Sequence, residues 1–303
     1  MVFLIPDIVK AQQPITLSVV VPACNNPLFT EQCLNALVDT MALLEHYDLW
    51  VEPEYLLIDD HSQDVAIQRL FTDFQQAYPG TRYWDLQHKH HYTGVLALGL
   101  DEARGDRILF LSNDMILTPT FLVSTLVVSL LDPQHGIVRG KSNHCDCFPQ
   151  YELLPVQDLT TYWDICEFAE QVLEQFGWAS AEDDILTGDC FILSRAVIDA
   201  IGSVDRQYFS YFGDIDYGLR AQRAGFKLVC ALGAWLWHWG AGHMMHEAST
   251  SGTEMLELRQ RRSQEIQSAY TKFRQKWQPS MPEDYISINN SLLFEYLRQL
   301  RNG

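Results

Sequence analysis

Basic residues are scarce in this chain of 303 residues: 21 Lys and Arg stand against 39 Asp and Glu, a net charge of −18. Nucleic-acid binding relies on clustered cations that neutralise phosphate, so no nucleic-acid partner is expected. The same deficit argues against broad docking on anionic lipid, although the local run Arg259–Arg262 could serve such a contact. Long apolar runs are missing: no window reaches the roughly 18 uninterrupted apolar residues of a transmembrane segment. The opening MVFLIPDIVK is short, carries Asp7, and lacks the basic start and cleavage site of a secretion signal. A cytoplasmic protein, at most peripheral at the membrane, is the expectation. Cysteine shows no pairing pattern; the seven, at 24, 33, 145, 147, 166, 190 and 230, are odd in number and scattered. Cys24, Cys190 and Cys230 stand in apolar contexts suited to buried thiols. Cys145-Asp-Cys147 has no second pair at zinc-like spacing to support a metal reading. Such usage fits a reducing compartment. With no low-complexity tract or repeat and 47% hydrophobic residues, the chain suits one large α/β domain with an appendage.

What is present is an alternation of short apolar runs and amphipathic stretches. Leu17–Pro22 reads as a buried parallel strand and residues 28–44 as a helix. A strand at Tyr55–Ile58 ends in Asp59 and Asp60, Asp64 reads as a helix N-cap, and Val65–Gln76 as the helix it caps. A strand at Arg82–Leu86, a helix at Val95–Arg104 and a strand at Arg107–Leu111 follow. This order predicts a mostly parallel sheet flanked by helices, with ligands at the strand C-termini. Further on we expect a helix over 121–131, a short strand at 137–138, a polar loop over 139–155 and a helix over 162–176. The spacing then predicts a strand over 185–193, helices over 196–201 and 214–224, and strands over 226–232 and 234–237. Residues 246–303 read as a helical appendage that packs on the core or forms a homo-oligomer contact, with a mobile start at Ser249–Gly252 and a last helix near 292–300.

The most informative stretch, 186–238, reads LTGDCFILSRAVIDAIGSVDRQYFSYFGDIDYGLRAQRAGF and then a strand-like run into WLWHWG. An aromatic-walled turn (Tyr208, Phe209, Tyr211, Phe212) presents Asp214 and Asp216, Arg220 follows one helical turn later, and His238 ends the next strand. Carboxylates at i and i+2 with an Arg at i+4 and a later His could form an acid/base and metal site. Taken alone, Asp-x-Asp is also what a solvated helix start looks like.

The segment resembles the second half of a family 2 glycosyltransferase, with its TG(A/G)x(F/L)xxxR, IGxFDExFFxYxEDxDLxxR and late His. The first half agrees, since LSVVVPACNN (17–26), LLIDDHSQD (56–64) and ARGDRILFLSNDMILTPTFL (103–122) resemble the family's opening strand, nucleotide loop and metal-binding strand. The resemblance covers roughly residues 15–245. It implies a GT-A (Rossmann-like) domain over 1–245, a helical extension over 246–303, and metal-dependent, inverting transfer from a nucleotide-diphosphate sugar, such as a UDP- or dTDP-sugar, to a saccharide or lipid-linked acceptor.

By that resemblance Asp59 and Asp60 hold the base and ribose, with Pro22, Ala23, Asn25 and Asn113 lining the same pocket. The alternative, loop carboxylates capping the next helix, competes with Asp64 for that task. Asp114, closing Ser112-Asn113-Asp114, and His238 are the implied metal ligands for Mn²⁺ or Mg²⁺, and the imidazole tilts the choice toward Mn²⁺. Asp214 matches the second residue of the family's ED pair, the general base of inverting members. Asp216 and Arg220 read as its supports, and Thr187, Gly188 and Asp189 as the border of the sugar or acceptor.

Three departures matter. Ser112 replaces the first carboxylate of the metal motif, Gly213 replaces the Glu before the base, and KHHYTGVLALG (89–99) replaces NxGxxxAxNxG, with Ala97 at an Asn position. They motivate a competing reading, a catalytically reduced family member that binds sugar nucleotide or a partner. A sugar nucleotidyltransferase would want a Gly-rich loop and Lys after the first strand, and residues 22–26 offer neither. His88 to His91 could contact phosphate or form a plain polar loop. Trp235, Trp237 and Trp239 share one face, as a sugar platform or as packing against the appendage. The wording DYGLR (216–220) is similar to galactofuranosyltransferases, and much of the remainder to rhamnosyltransferases.

Overall fold

The computed structural model describes residues 4–145, 152–240, 254–288 and 290–302. Cys147, the end of the turn after His238, part of the 139–155 segment and the Ser249–Gly252 stretch lie outside the described residues.

Among the described residues, nine strands form one sheet: β1 (Ile15–Ala23), β2 (Val51–Asp59), β3 (Arg82–Asp85), β4 (Arg107–Leu111), β5 (Met115–Ile116), β6 (His135–Ser142), β7 (Ser180–Asp183), β8 (Cys190–Ser194) and β9 (Lys227–His238). Their order is β3-β2-β1-β4-β8-β6-β9-β5, with β7 also along β9. The strands β3, β2, β1 and β4 are mutually parallel, β8 inserts antiparallel between β4 and β6, and β6 and β9 are again parallel.

After a one-turn helix, α1 (Asp7–Lys10), the main helices are α2 (Pro27–Leu43), α3 (Val65–Ala77), α4 (His91–Glu102), α5 (Pro119–Leu131), α6 (Tyr162–Phe176), α7 (Arg195–Ile201) and α8 (Gly213–Arg223). Leu17, Val19 and Val21 of β1 face the layer of α2, α3 and α5, whereas Val20 faces the layer of α4, α7 and α8. Burial on both faces explains why β1 reads as a continuous apolar run. Helix α5 is buried nearly all round, which fits its lack of a polar face.

The alternation of strands and helices is as expected, and several boundaries are corrected. Residues 185–189 leave the ladder, and β8 starts only at Cys190. The reason is Tyr92, whose hydroxyl stands where a Cβ on residue 188 would point, so only Gly188 lets the chain pass. Strand β6 runs through Arg139 to Ser142, where a loop was expected, because β9 continues beside it. β9 is a single strand; Gly233 does not break it but lies against the Gly177 carbonyl beyond α6. Helix α4 begins at His91, four residues early, because a distant carboxylate, Asp60, accepts from the His90 and His91 amides at 2.5 and 2.9 Å. β5 and β7 are too short and too polar, respectively, to announce themselves.

Two further helices, α9 (Met255–Trp277) and α10 (Asn290–Asn302), close the described chain. They pack on the core: Tyr270, Phe273, Leu293 and Leu297 share one apolar cluster with Ile185, Tyr208, Phe212 and Leu219. Burying a side chain such as Phe273 completely contributes roughly 1.5–3 kcal/mol. The tryptophan ladder packs elsewhere. Trp235 is buried against Phe168 of α6, ring centroids 4.6 Å apart, and not against the C-terminal helices. Trp239, 42% exposed, stacks on Phe29.

Candidate active site

The C-terminal ends of β1, β2 and β4 deliver the first cluster. Asn25 and Asn26 both adopt left-handed backbone (φ 58° and 57°), which turns the chain sharply out of β1. Asn25 Oδ1 accepts from the Gln63 and Asp64 amides at 2.8 and 3.3 Å, and its own N–H donates to Ser62 Oγ. These bonds tie the loop after β1 to the loop after β2. Asp64 caps α3 through the Ala66 amide, so neither Asp59 nor Asp60 performs that task. Asp59 Oδ1 accepts from the Ser62 amide at 2.8 Å while its buried Oδ2 has no partner. Burial, opposed by the Ser62 bonds and reinforced by Asp85 and Asp60, raises its pKa. Asp60 spends both oxygens on the His90 and His91 amides. Pro22 and Ala23 pair with Ile58 and Asp59 across the sheet. Lys89 reaches the Cys24 thiol at the same rim. The Asn113 amide donates to Thr30 Oγ1 at 2.8 Å.

The second cluster joins β4, β5 and β9. Met115 pairs with His238 across antiparallel strands, and the Trp239 amide donates to the Asp114 carbonyl at 3.0 Å. This brings Asp114 Oδ2 to 3.4 Å from His238 Nε2. His238 Nδ1 lies 2.9 Å from the His144 carbonyl, which can only accept, so Nδ1 carries a proton and Nε2 faces Asp114. Burial alone would lower the His238 pKa, but the bond and charge of Asp114, with help from Asp189, push it up to about 9. Asn143 clamps the His238 backbone in both directions, accepting at 2.6 Å and donating at 2.9 Å.

The pair fits a divalent cation. Cis ligands at about 2.1 Å from one ion lie roughly 3 Å apart, near the separation seen. The backbone acceptor on Nδ1 is the usual device that aims a ligating imidazole. No third His, Cys, Asp or Glu joins them among the described residues. Two protein ligands leave the other positions to phosphate and water, as suits Mg²⁺ or Mn²⁺.

The third cluster lies at the start of α8. Phe212 holds left-handed backbone (φ 65°) and launches the helix, and the Asp216 amide donates to its carbonyl at 2.9 Å. Asp214 is half-buried. Its Oδ1 accepts from the Ile215 amide at 2.9 Å, and its Oδ2 faces Gly188. Burial is the main cause that raises its pKa to about 7; the Ile215 bond opposes this and the Asp189 charge adds to it. Asp189 also acts on His238, and its carbonyl accepts from the Ser112 amide at 3.1 Å, so it stands between the second and third clusters. Thr187 is buried with an unpartnered hydroxyl beside them.

Asp216 is different in kind. It is fully buried and accepts from Trp277 Nε1 at 2.7 Å, Lys276 Nζ at 2.8 Å and Arg220 Nε at 3.1 Å. Arg220 also donates to the Ile201 and Ser203 carbonyls, both at 2.8 Å. Asp216 therefore does more than support Arg220: it fastens α9 to the helix that carries Asp214.

Sequence reasoning missed Tyr92, Asn143, His144, Lys276 and Trp277. Tyr92 stands in the departing 89–99 segment, and its buried hydroxyl, without a partner, lies beside Gly188, Asp214 and Asp189. The others carry no local signal. At Gly213 a Cβ would fall 2.6 Å from Thr93 Oγ1, so the family's Glu has no room here.

A parallel sheet with an antiparallel insertion, acidic loops at its C-terminal ends and a carboxylate at a later helix start define a GT-A type glycosyltransferase. The model of the glycosyltransferase-like family 2 matches residues 14–264, and the chain belongs to that family. It is 25% identical over 230 residues to the O-antigen biosynthesis protein RfbC of Myxococcus xanthus, covering 70% of this chain but only 16% of that protein. The mannosyltransferase PcManGT of Pyrobaculum calidifontis, solved with GDP-Man and Mn²⁺, superposes with a TM-score of 0.55 at 14% identity, over 94% of this chain and 70% of that one. GalNAc-T7 with UDP, GalNAc and Mn²⁺ gives 0.55 at 13% identity, over 74% of this chain and 43% of that one. TarS residues 1–349 of S. aureus with UDP-GlcNAc gives 0.50 at 15% identity, over 74% and 58%. At these identities the likeness shows the fold.

Proposed function

We propose that the protein transfers a glycosyl group, with inversion, from a nucleoside-diphosphate sugar to a hydroxyl of a saccharide or lipid-linked acceptor, assisted by Mn²⁺ or Mg²⁺. One observation carries this reading. Of two carboxylates two residues apart, Asp216 is sealed by side-chain donors from Trp277, Lys276, Arg220 and Tyr208, whereas Asp214 is met by the backbone amides of Ile215 and Gly188 in a half-buried site that raises its pKa to about 7. A base poised near the working pH is what acceptor deprotonation needs. The acceptor oxygen attacks the anomeric carbon, and its proton passes to Asp214 Oδ2. The bond from that carbon to the diphosphate breaks, and its electron pair leaves on the phosphate.

Asp59 Oδ2, buried and unpartnered, supports a role in holding an N–H or O–H of the nucleoside, with Pro22, Ala23 and Asn25 beside it and Asp60 fixing the 88–91 turn. Asp114 and His238 would hold the metal, which when bound neutralises charge developing on the departing diphosphate. Thr187, Gly188 and Asp189 border the reacting centre. The relatives' bound GDP-Man, UDP-GlcNAc and Mn²⁺, and the O-antigen role of the bacterial relative, support a nucleotide-sugar donor and a polysaccharide product. Residues 1–245 would carry the transfer and 246–303 brace it.

The second reading, a binding protein with reduced turnover, is favoured by Gly213, where Thr93 fills the space of the family's Glu. Donor hydrolysis and transfer measured with a panel of UDP-, dTDP- and GDP-sugars and Mn²⁺ separates the two. Turnover above the metal-free control supports the transferase, and binding with no turnover supports the alternative.

A further inference from the structure

Helix α9 carries a basic run, Arg259 to Arg262, that the transfer chemistry leaves unused. Arg259, Arg262 and Ile266 fall at i, i+3 and i+7, on one face of the helix. Opposite them run Tyr285, Ile286 and Ile288, and between the two walls lies an open groove of about 470 Å³. That is within the roughly 300–1,000 Å³ of small-molecule sites. Its described lining includes no carboxylate, in a chain whose acidic residues outnumber its basic ones by 39 to 21. Ile286 is 80% exposed, an unusual position for a large aliphatic side chain beside two guanidinium groups.

The groove also abuts the catalytic turn. Arg262 lies over the Tyr211 ring, 5.7 Å from its centroid, and the Tyr285 ring stands 5.8 Å from that of Phe212, two residues before Asp214. A ligand seated here would have its polar end at the mouth of the acceptor side.

We propose that this groove binds the lipid-phosphate anchor of the acceptor, phosphate oxygens on Arg259 and Arg262 and the first lipid carbons along Ile266, Ile286 and Ile288. The assignment rests on the transferase reading above and narrows its acceptor class. Guanidinium groups suit phosphate through paired N–H donors, and the aliphatic wall suits a chain that a free sugar phosphate lacks. A single lipid molecule is favoured over a bilayer surface, because a molecule of net charge −18 is repelled by an anionic sheet, whereas one phosphate meets only its two local arginines.

The test is calorimetric titration of the full chain, first with UDP and Mg²⁺, then, with that site saturated, with farnesyl diphosphate, farnesol and inorganic diphosphate separately. The first titration reports on the nucleotide reading alone. Farnesyl diphosphate should bind at least tenfold more tightly than either fragment. The double variant Arg259→Gln/Arg262→Gln, and separately Ile286→Asp, should each weaken it at least tenfold while UDP affinity and the melting transition stay unchanged. Equal affinity in parent and both variants would overturn the site. Inorganic diphosphate binding as tightly as farnesyl diphosphate would overturn its lipid character. Loss of retention on phosphatidylglycerol vesicles in the double variant, with farnesyl diphosphate binding intact, would assign the groove to a membrane surface and defeat the acceptor assignment.

Discussion

Asp214 and Asp216 stand two residues apart in the same first helical turn, and what surrounds them sets them apart. Asp214→Asn should leave donor binding nearly intact and lower turnover by about 10²–10⁴, the usual worth of a general base. In the parent, kcat should rise with pH and level off above about 7, the value to which burial lifts the Asp214 carboxyl. The same shift has a stability consequence. A carboxyl whose folded pKa exceeds its unfolded value of about 3.9 stabilises the fold only while protonated, so that contribution fades as pH rises through about 7. Asp214→Asn should therefore be more stable than the parent at pH 8 in urea titrations, with the gap closing toward pH 4. A variant no more stable than the parent at pH 8 would mean that Asp214 is not held against its ionisation. On the metal side, Asp114→Ala should stay folded and lose the part of UDP binding that EDTA removes from the parent. Equal binding with and without EDTA in the parent would sink the metal assignment.

At the scale of elements, the C-terminal helices and the site are one mechanical unit. Trp277 Nε1 and Lys276 Nζ reach the buried Asp216 from α9, 2.7 and 2.8 Å away, and Asp216 shares the first turn of α8 with Asp214. Trp277→Phe keeps the ring and removes one hydrogen bond to a charged acceptor. It should cost about 1.5–3 kcal/mol in denaturant unfolding and lower kcat more than it changes donor KM. An unchanged midpoint would show that α9 merely rests on the core.

Much of this architecture is legible in the sequence. The run at 17–22 and the Asp64 cap sit where local chemistry put them, since burial on both faces and capping are written in neighbouring residues. The rest depends on partners far along the chain. Asp60 starts α4 thirty residues away, Tyr92 stops the ladder before β8, and the His144 carbonyl orients His238 across 94 residues. No periodicity encodes such contacts. Glycine has two meanings here: Gly225, with φ 90°, turns the chain beyond the end of α8, whereas Gly233, between the two strands expected at 226–232 and 234–237, is a close approach.

For the whole molecule, three clusters on separate strand ends and one helix start converge because the sheet switches from parallel to antiparallel at β8. That switch seats Asp189 between His238 and Asp214, so the Asp114–His238 pair and Asp214 share a wall. With a charge of −18, the approach of the anionic donor proposed above would fall to local groups such as Lys89, Arg259 and Arg262. The central claim is a single displacement at the anomeric carbon with Asp214 as base. It is tested most directly by following, by proton NMR at early times with Mg²⁺, the anomer of the sugar first released when water replaces the acceptor. The account predicts release of the anomer opposite in configuration to the donor linkage, and its disappearance in Asp214→Asn. Release of the donor's own configuration would contradict it.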